Sequence, residues 1–177
     1  MALAAILALR RVRREGSGEG APAPAGRSAL AGVVAAFAIV PVLVGVQWLQ
    51  ERAYVALDRE PKAQWLVDRA ASGGTSTFLA VALFAVVAAP LFEEFVFRRL
   101  LYGGLRGRFG AALSMFLSAA IFAAWHMEPD ALPVLFVLGL ALAHLRERTG
   151  GLTAPIAMHA CYNALQTVGI LTARSGG

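Results

Sequence analysis

Residues Thr77 to Phe92 form an apolar run without a single charge, and the run ends on two adjacent carboxylates, Glu93 and Glu94, with Arg98 four residues after the second. Long charge-free runs are read as membrane-crossing helices. An ionisable side chain in such a segment is costly to keep in hydrocarbon and marks a functional site by default. On a helix, Glu94 and Arg98 are i, i+4 neighbours and can pair. Glu93 points about 100° away from that face and has no local cation. One carboxylate is thus expected to be tied down and the other to be open for chemistry. At a water interface the same two glutamates would only end the helix, so the rest of the chain has to decide.

The chain is long enough for one domain, and its composition favours the membrane. Of 177 residues, 58% are hydrophobic and only 15% charged, too apolar for an ordinary soluble domain. The net charge of +5 could suggest nucleic acid. The arginines, however, cluster between apolar runs, where basic residues mark cytoplasmic loops, and no recognition module is visible. A single cysteine, Cys161, allows no internal disulfide and no cysteine-based zinc site. In its apolar setting it is expected to pack as a small hydrophobe.

The fold class expected is all-α, a polytopic transmembrane bundle of about five spans. Residues 1–27 read as a basic N-terminal segment followed by a flexible Gly/Pro/Ala-rich linker. Residues 28–76 hold the first span, Leu30 to Leu49, and a polar loop with a short amphipathic helix around 63–71; Pro41 is expected to kink that span. Residues 77–173 form a four-helix core. Its first helix runs from Thr77 to about Tyr102, where Gly103-Gly104 is expected to break it. The others are Ala111 to His126, Ala131 to about Leu145, and Leu152 to about Thr172. Unbalanced arginines precede span one and follow spans two and four. All three basic segments fall on one side if the N-terminus is cytoplasmic.

Two further motifs lie on these apolar helices. Phe122 and His126 share a face at i, i+4, as do His159 and Asn163. A lone histidine in an apolar helix is most often a packing residue. Two histidines, an asparagine and an unpaired glutamate on three helices are best accommodated by facing one another. The remaining histidine, His144, falls beside Arg146 at a helix end and reads as interfacial. Counting along each helix from its cytoplasmic end, Glu93 lies at about 14 Å, His126 at about 22 Å and His159 at about 10 Å. His126 is therefore expected to sit out of register. If the groups converge, glutamate can act as general base on water, and histidine and asparagine can donate to an oxyanion. Glu93, His126 and His159 are also a plausible zinc set, although the His-Glu-x-x-His signature is absent.

The three motifs, Glu93-Glu94-x-x-x-Arg98, Phe122-x-x-x-His126 and His159-x-x-x-Asn163, occur in that order on successive apolar helices. Together they resemble the CPBP family of intramembrane proteases, which groups CAAX-prenyl endopeptidases with bacteriocin-processing and bacteriocin-immunity proteins. The similar region runs from about Thr77 to Leu171, and Arg146 to Gly150 looks like the turn before the family's last motif. A small residue commonly follows the motif arginine in that family; here Arg99 stands there. The resemblance implies that Glu93 activates the water, with Glu94 as its partner. His126, His159 and Asn163 would bind the water, any metal such as Zn²⁺, and the oxyanion, with Arg98 and Phe122 in support. The family is usually named as metalloproteases, with a metal-free glutamate mechanism as the rival account. It also implies a peptide or protein substrate, lipidated or membrane-embedded, contact with membrane lipid, no nucleic acid, and a prokaryotic plasma membrane. The other function class is a non-catalytic binding or immunity protein that keeps the polar cluster for folding. A transporter is disfavoured by five short spans without an internal repeat.

Overall fold

The computed structural model describes residues 24–59, 70 and 72–175, and these are helical, with no strand among them. The expected amphipathic helix at 63–71 and the basic segment 1–23 lie almost wholly outside the described residues. Helix α1 spans Ala25–Ala56 and runs on through Pro41. It starts three residues earlier than the linker reading allowed. The next stretch is a succession of short pieces: α2 (Thr75–Leu83), a π turn (Phe84–Ala88), α3 (Ala89–Glu93), a π segment (Glu94–Leu101) and α4 (Tyr102–Trp125). A 3₁₀ turn at Pro129–Ala131 leads into α5 (Leu132–Thr149), and α6 (Thr153–Ser175) ends the described chain.

The helix was expected to break at Gly103-Gly104, yet it continues through both. The break is at Gly110, with φ 73° and ψ 176°, a backbone region open essentially to glycine alone. The chain folds back there. The rings of Phe97 and Phe122 touch at 5.2 Å between centroids, although 25 residues of straight helix would separate them by about 38 Å. Ser118 Oγ also donates to the Phe97 carbonyl at 3.0 Å. This fold corrects the expected register. Measured from Gly110, Glu93 and His126 lie at nearly equal distances along the two arms, so the mismatch between these two disappears.

The protein is an all-α polytopic membrane protein. Three stretches are long and apolar enough to cross a membrane, Ala25–Ala56, Thr75–Trp125 and Pro129–Thr149, against the five or so expected. The middle one contains both arms of the Gly110 hairpin, and polar residues such as His159, Asn163 and Gln166 lower the hydropathy of α6. At most a third of each apolar window is buried within the protein. The outward-facing Leu30, Phe37, Leu83, Phe92, Leu100 and Phe116 therefore need lipid as their solvent.

Because lipid tails are as apolar as leucine, helices in a bilayer associate by close packing rather than by expulsion of water. On α1 the buried Ser28, Gly32 and Ala36 recur every four residues and form a small-residue stripe. It faces α6, with which α1 makes its main contact. At Gly32 a Cβ would lie 2.2 Å from the Ala154 carbonyl oxygen. The cluster continues through Leu43, Leu138, Leu142, Leu145 and Met158. At one end of the bundle, Glu147 accepts from Tyr102 Oη at 2.6 Å and from Arg106 Nη2 at 2.8 Å. At the other end, Asp130 Oδ1 accepts from Tyr54 Oη and Arg59 Nη2, both at 2.7 Å.

Gly32→Ala should force α1 and α6 apart and cost about 1–3 kcal/mol. Gly45→Ala on the same helix meets nothing within 4 Å and should be neutral or stabilise by up to about 1 kcal/mol through helix propensity. Thermal unfolding of the two variants in detergent checks the contrast; equal midpoints would refute the close crossing.

Candidate active site

The hairpin, α5 and α6 bring the three motifs together beside one another. Glu94 and Arg98 are fully buried, with Arg98 Nε 3.2 Å from Glu94 Oε2, the i, i+4 pair expected from the sequence. Two other elements hold this pair. His159 Nδ1, on α6, donates to Glu94 Oε1 at 2.9 Å. Arg98 Nη2 donates to the Gly139 carbonyl of α5 at 3.3 Å. Gly139 is a close-approach position, where a Cβ would come within 3.0–3.2 Å of Ala119 and Phe122. The sequence reading missed its part, because a backbone acceptor leaves no mark in side-chain patterns.

Glu93 faces the other way, as the helical period requires. Its Oε2 lies 3.9 Å from His126 Nε2 and 3.8 Å from His159 Nε2. It makes no hydrogen bond among the described residues although the atom is buried. The two imidazoles are oriented from behind. His126 Nδ1 is 2.8 Å from the Phe122 carbonyl, which can only accept, so the proton sits on Nδ1. His159 Nδ1 is likewise committed to Glu94. In the neutral rings both Nε2 atoms therefore present lone pairs toward Glu93. Side-chain exposure is graded across the site: 27% for His126, 16% for Glu93, 4% for His159 and none for Glu94 and Arg98.

Phe122 is the packing hub of the site. It is fully buried and its ring centroid is 4.8 Å from His126, 5.9 Å from His159 and 4.4 Å from the Arg98 guanidinium carbon. The Arg98 contact is a cation–π interaction within a desolvated setting. Asn163 lies one turn beyond His159, and its Nδ2 donates to the Ala85 carbonyl at 2.7 Å. His144 is apart from this cluster, on the exposed surface, where its Nε2 accepts from Arg148 Nε at 3.3 Å. Cys161 is half-buried and packs against the apolar core.

Glu93, His126, His159 and Asn163 border a cavity of about 730 Å³. It extends to Asp130, where Gln47, Gln50, Glu51 and Tyr54 of α1 form part of its wall. Nothing in the residue pattern of α1 marks it as reaching the site. Gln50 joins the Asp130 cluster as well, donating to Tyr54 Oη at 2.8 Å and to the Asp130 carbonyl. The α4–α5 turn that carries His126 is thereby tied to α1.

The residues do not fit a metal ion. Among the described residues no three His, Cys, Asp or Glu side chains are grouped so as to hold one. The 3.8–3.9 Å separations of Glu93 from the two imidazoles exceed the roughly 3.3 Å between ligands of a tetrahedral zinc bound at about 2.0–2.1 Å. They do leave Glu93 within reach of a bridging water.

No curated protein and no solved structure matches the chain. Residues 75–165 match the family described as type II CAAX prenyl endopeptidase, Rce1-like. That match covers more than half of the chain and contains the two glutamates, both motif histidines and Asn163. On that match, and with its apolar helices, the chain belongs to the Rce1-like, CAAX-type intramembrane proteases.

Proposed function

We propose that the protein is an intramembrane endopeptidase that hydrolyses a peptide bond with a water activated by Glu93. The observation that carries this reading is the gap in front of Glu93. An unbonded buried carboxylate oxygen faces two imidazole Nε2 atoms at 3.8 and 3.9 Å on the wall of a cavity. Both rings are already fixed through Nδ1.

A water in that gap can donate one hydrogen to Glu93 Oε2 and the other to an Nε2. Glu93 takes a proton as the water oxygen bonds to the scissile carbonyl carbon. The carbonyl π electrons move onto oxygen. Collapse of the intermediate breaks the C–N bond, and the proton held by Glu93 passes to the leaving amine. The division between the two glutamates follows from burial: Glu94, sealed between Arg98 and His159, orients, while Glu93 reacts. No step is routed through a metal. The substrate class is a membrane-embedded or lipidated peptide, the resemblance to the family favours a prokaryotic plasma membrane, and the charge pattern of the turns favours a cytoplasmic N-terminus.

Comparison of membrane-protein termini in cells carrying the intact protein or Glu93→Gln tests the activity. Neo-termini that depend on Glu93 are the expected result, and a synthetic peptide across such a point then serves for kinetics. Glu93→Gln is isosteric but cannot take the proton, so turnover should fall by about 10²–10⁴ while the fold survives. Full turnover in Glu93→Gln, or no Glu93-dependent terminus, would leave a binding or immunity protein as the better account.

Groups that act as a unit are non-additive when removed. His126→Ala and His159→Ala should each cost nearly as much rate as the double change. Small effects that simply add would make His126 a packing residue. For topology, single cysteines at positions 106 and 128 in a Cys161→Ala background report sidedness. An impermeant thiol reagent should label 128 and not 106 from outside the cell, and the converse would reverse the orientation.

A further inference from the structure

Pro90 and Asn163 are left without a task by this chemistry, and the Ala85 carbonyl connects them. In the π turn Phe84–Ala88, the Ala89 N–H bonds five residues back to the Phe84 carbonyl. The next bond in that register would run from residue 90 to Ala85. Proline has no N–H to give, so the Ala85 carbonyl loses its backbone donor. Ala85 borders the cavity beside Asn163, and a backbone carbonyl left unpaired on that largely apolar wall costs free energy. The replacement comes from α6, where Asn163 Nδ2 donates to Ala85 at 2.7 Å.

The bond has a consequence for Glu93, three residues after Pro90. A π turn holds one extra residue, and each residue rotates a helix by about 100°. The turn therefore sets which side chains of the following segment face α6 and which face away. Loss of the extra residue would swing Glu93 off the two imidazoles. The same bond fixes the height of α6, since His159 is one turn from Asn163. We infer that Asn163 is a positioning residue for Glu93. With one of its two amide hydrogens it caps the Ala85 carbonyl that Pro90 deprives of its donor, and so holds the π turn. The inference rests on Glu93 being the reactive carboxylate.

The test is a rescue measured with the purified full chain in lipid nanodiscs, using a synthetic peptide that spans a Glu93-dependent cleavage point. Asn163→Ala should lower kcat about tenfold or more with little change in KM, and lower the melting midpoint by roughly 2–10 °C. Pro90→Ala returns an N–H at position 90. In the double variant Pro90→Ala/Asn163→Ala, most of the lost rate and the lost midpoint should come back. A double variant as slow as Asn163→Ala, with all midpoints equal to the parent, would overturn the inference and make Asn163 a donor to the oxyanion. The midpoints are also read in a Glu93→Gln background, which needs no turnover. There, an Asn163→Ala midpoint equal to its parent, or one that Pro90→Ala does not restore, also overturns it. Should Glu93→Gln retain full turnover, the catalytic reading fails on its own, and the midpoints still decide whether Asn163 caps Ala85.

Discussion

The buried ionic cluster of Glu94, Arg98 and His159 is the interaction on which the rest of the site depends. Taking charges out of water costs several kcal/mol per ion even after relaxation. A bilayer gives no hydrophobic return for bringing helices together. The cluster persists because its charges are paired: Glu94 lies against a guanidinium and accepts from an imidazole, and Arg98 lies against a carboxylate, the Gly139 carbonyl and the face of Phe122, although Arg98 Nη1 makes no hydrogen bond among the described residues. These partners come from the π segment, α4, α5 and α6. Satisfying one buried carboxylate therefore fixes four elements relative to one another, and Glu93, its neighbour in sequence, inherits that frame.

The arrangement turns an adjacent pair of identical residues into two different groups. Consecutive positions on a helix face about 100° apart, so one carboxylate can be sealed in protein while the next looks into a cavity. The sealed one acts through His159, holding Nδ1–H and leaving Nε2 toward Glu93. His126 receives the same treatment from a backbone carbonyl, four residues earlier on its own helix. Both rings are thus fixed in tautomer and direction without any group that would compete for the Glu93 carboxylate.

Much of this was legible in the sequence. The Glu94–Arg98 pair, the shared face of Phe122 and His126, and that of His159 and Asn163 follow from the 3.6-residue period. The need of polar groups for partners in lipid brought the three motifs to one place. The hairpin was misplaced for a physical reason: residues 103, 104, 107 and 110 are all glycine, and composition does not say which one adopts positive φ. That error alone generated the apparent depth mismatch of His126. The π turns were not legible, because shifting a helix by one residue leaves its composition unchanged. The signal present was Pro90 inside an apolar run, since a proline there must disturb the backbone bonding. The α1–α6 contact was hidden as well. A helix apolar on every side has no face that announces its partner, and only the Ser28, Gly32, Ala36 spacing marks the close one.

The two ends of the bundle repeat one device. Tyr102 and Arg106 meet Glu147 at the Gly110 end, and Tyr54 and Arg59 meet Asp130 at the cavity end. Both arginines are largely exposed, and ion pairs in water contribute little to stability. Their value lies in geometry: each joins elements whose apolar faces would slide past one another without preference. The steep contacts at Gly32 and Gly139 fix how near the helices come, and the tyrosine–carboxylate–arginine groups fix how far along their axes they stop. The Asp130 group has the tighter duty, since it follows His126 by four residues on the wall of the cavity. A small slip there would widen the 3.9 Å gap to Glu93, the separation on which the proposed sharing of a single water depends.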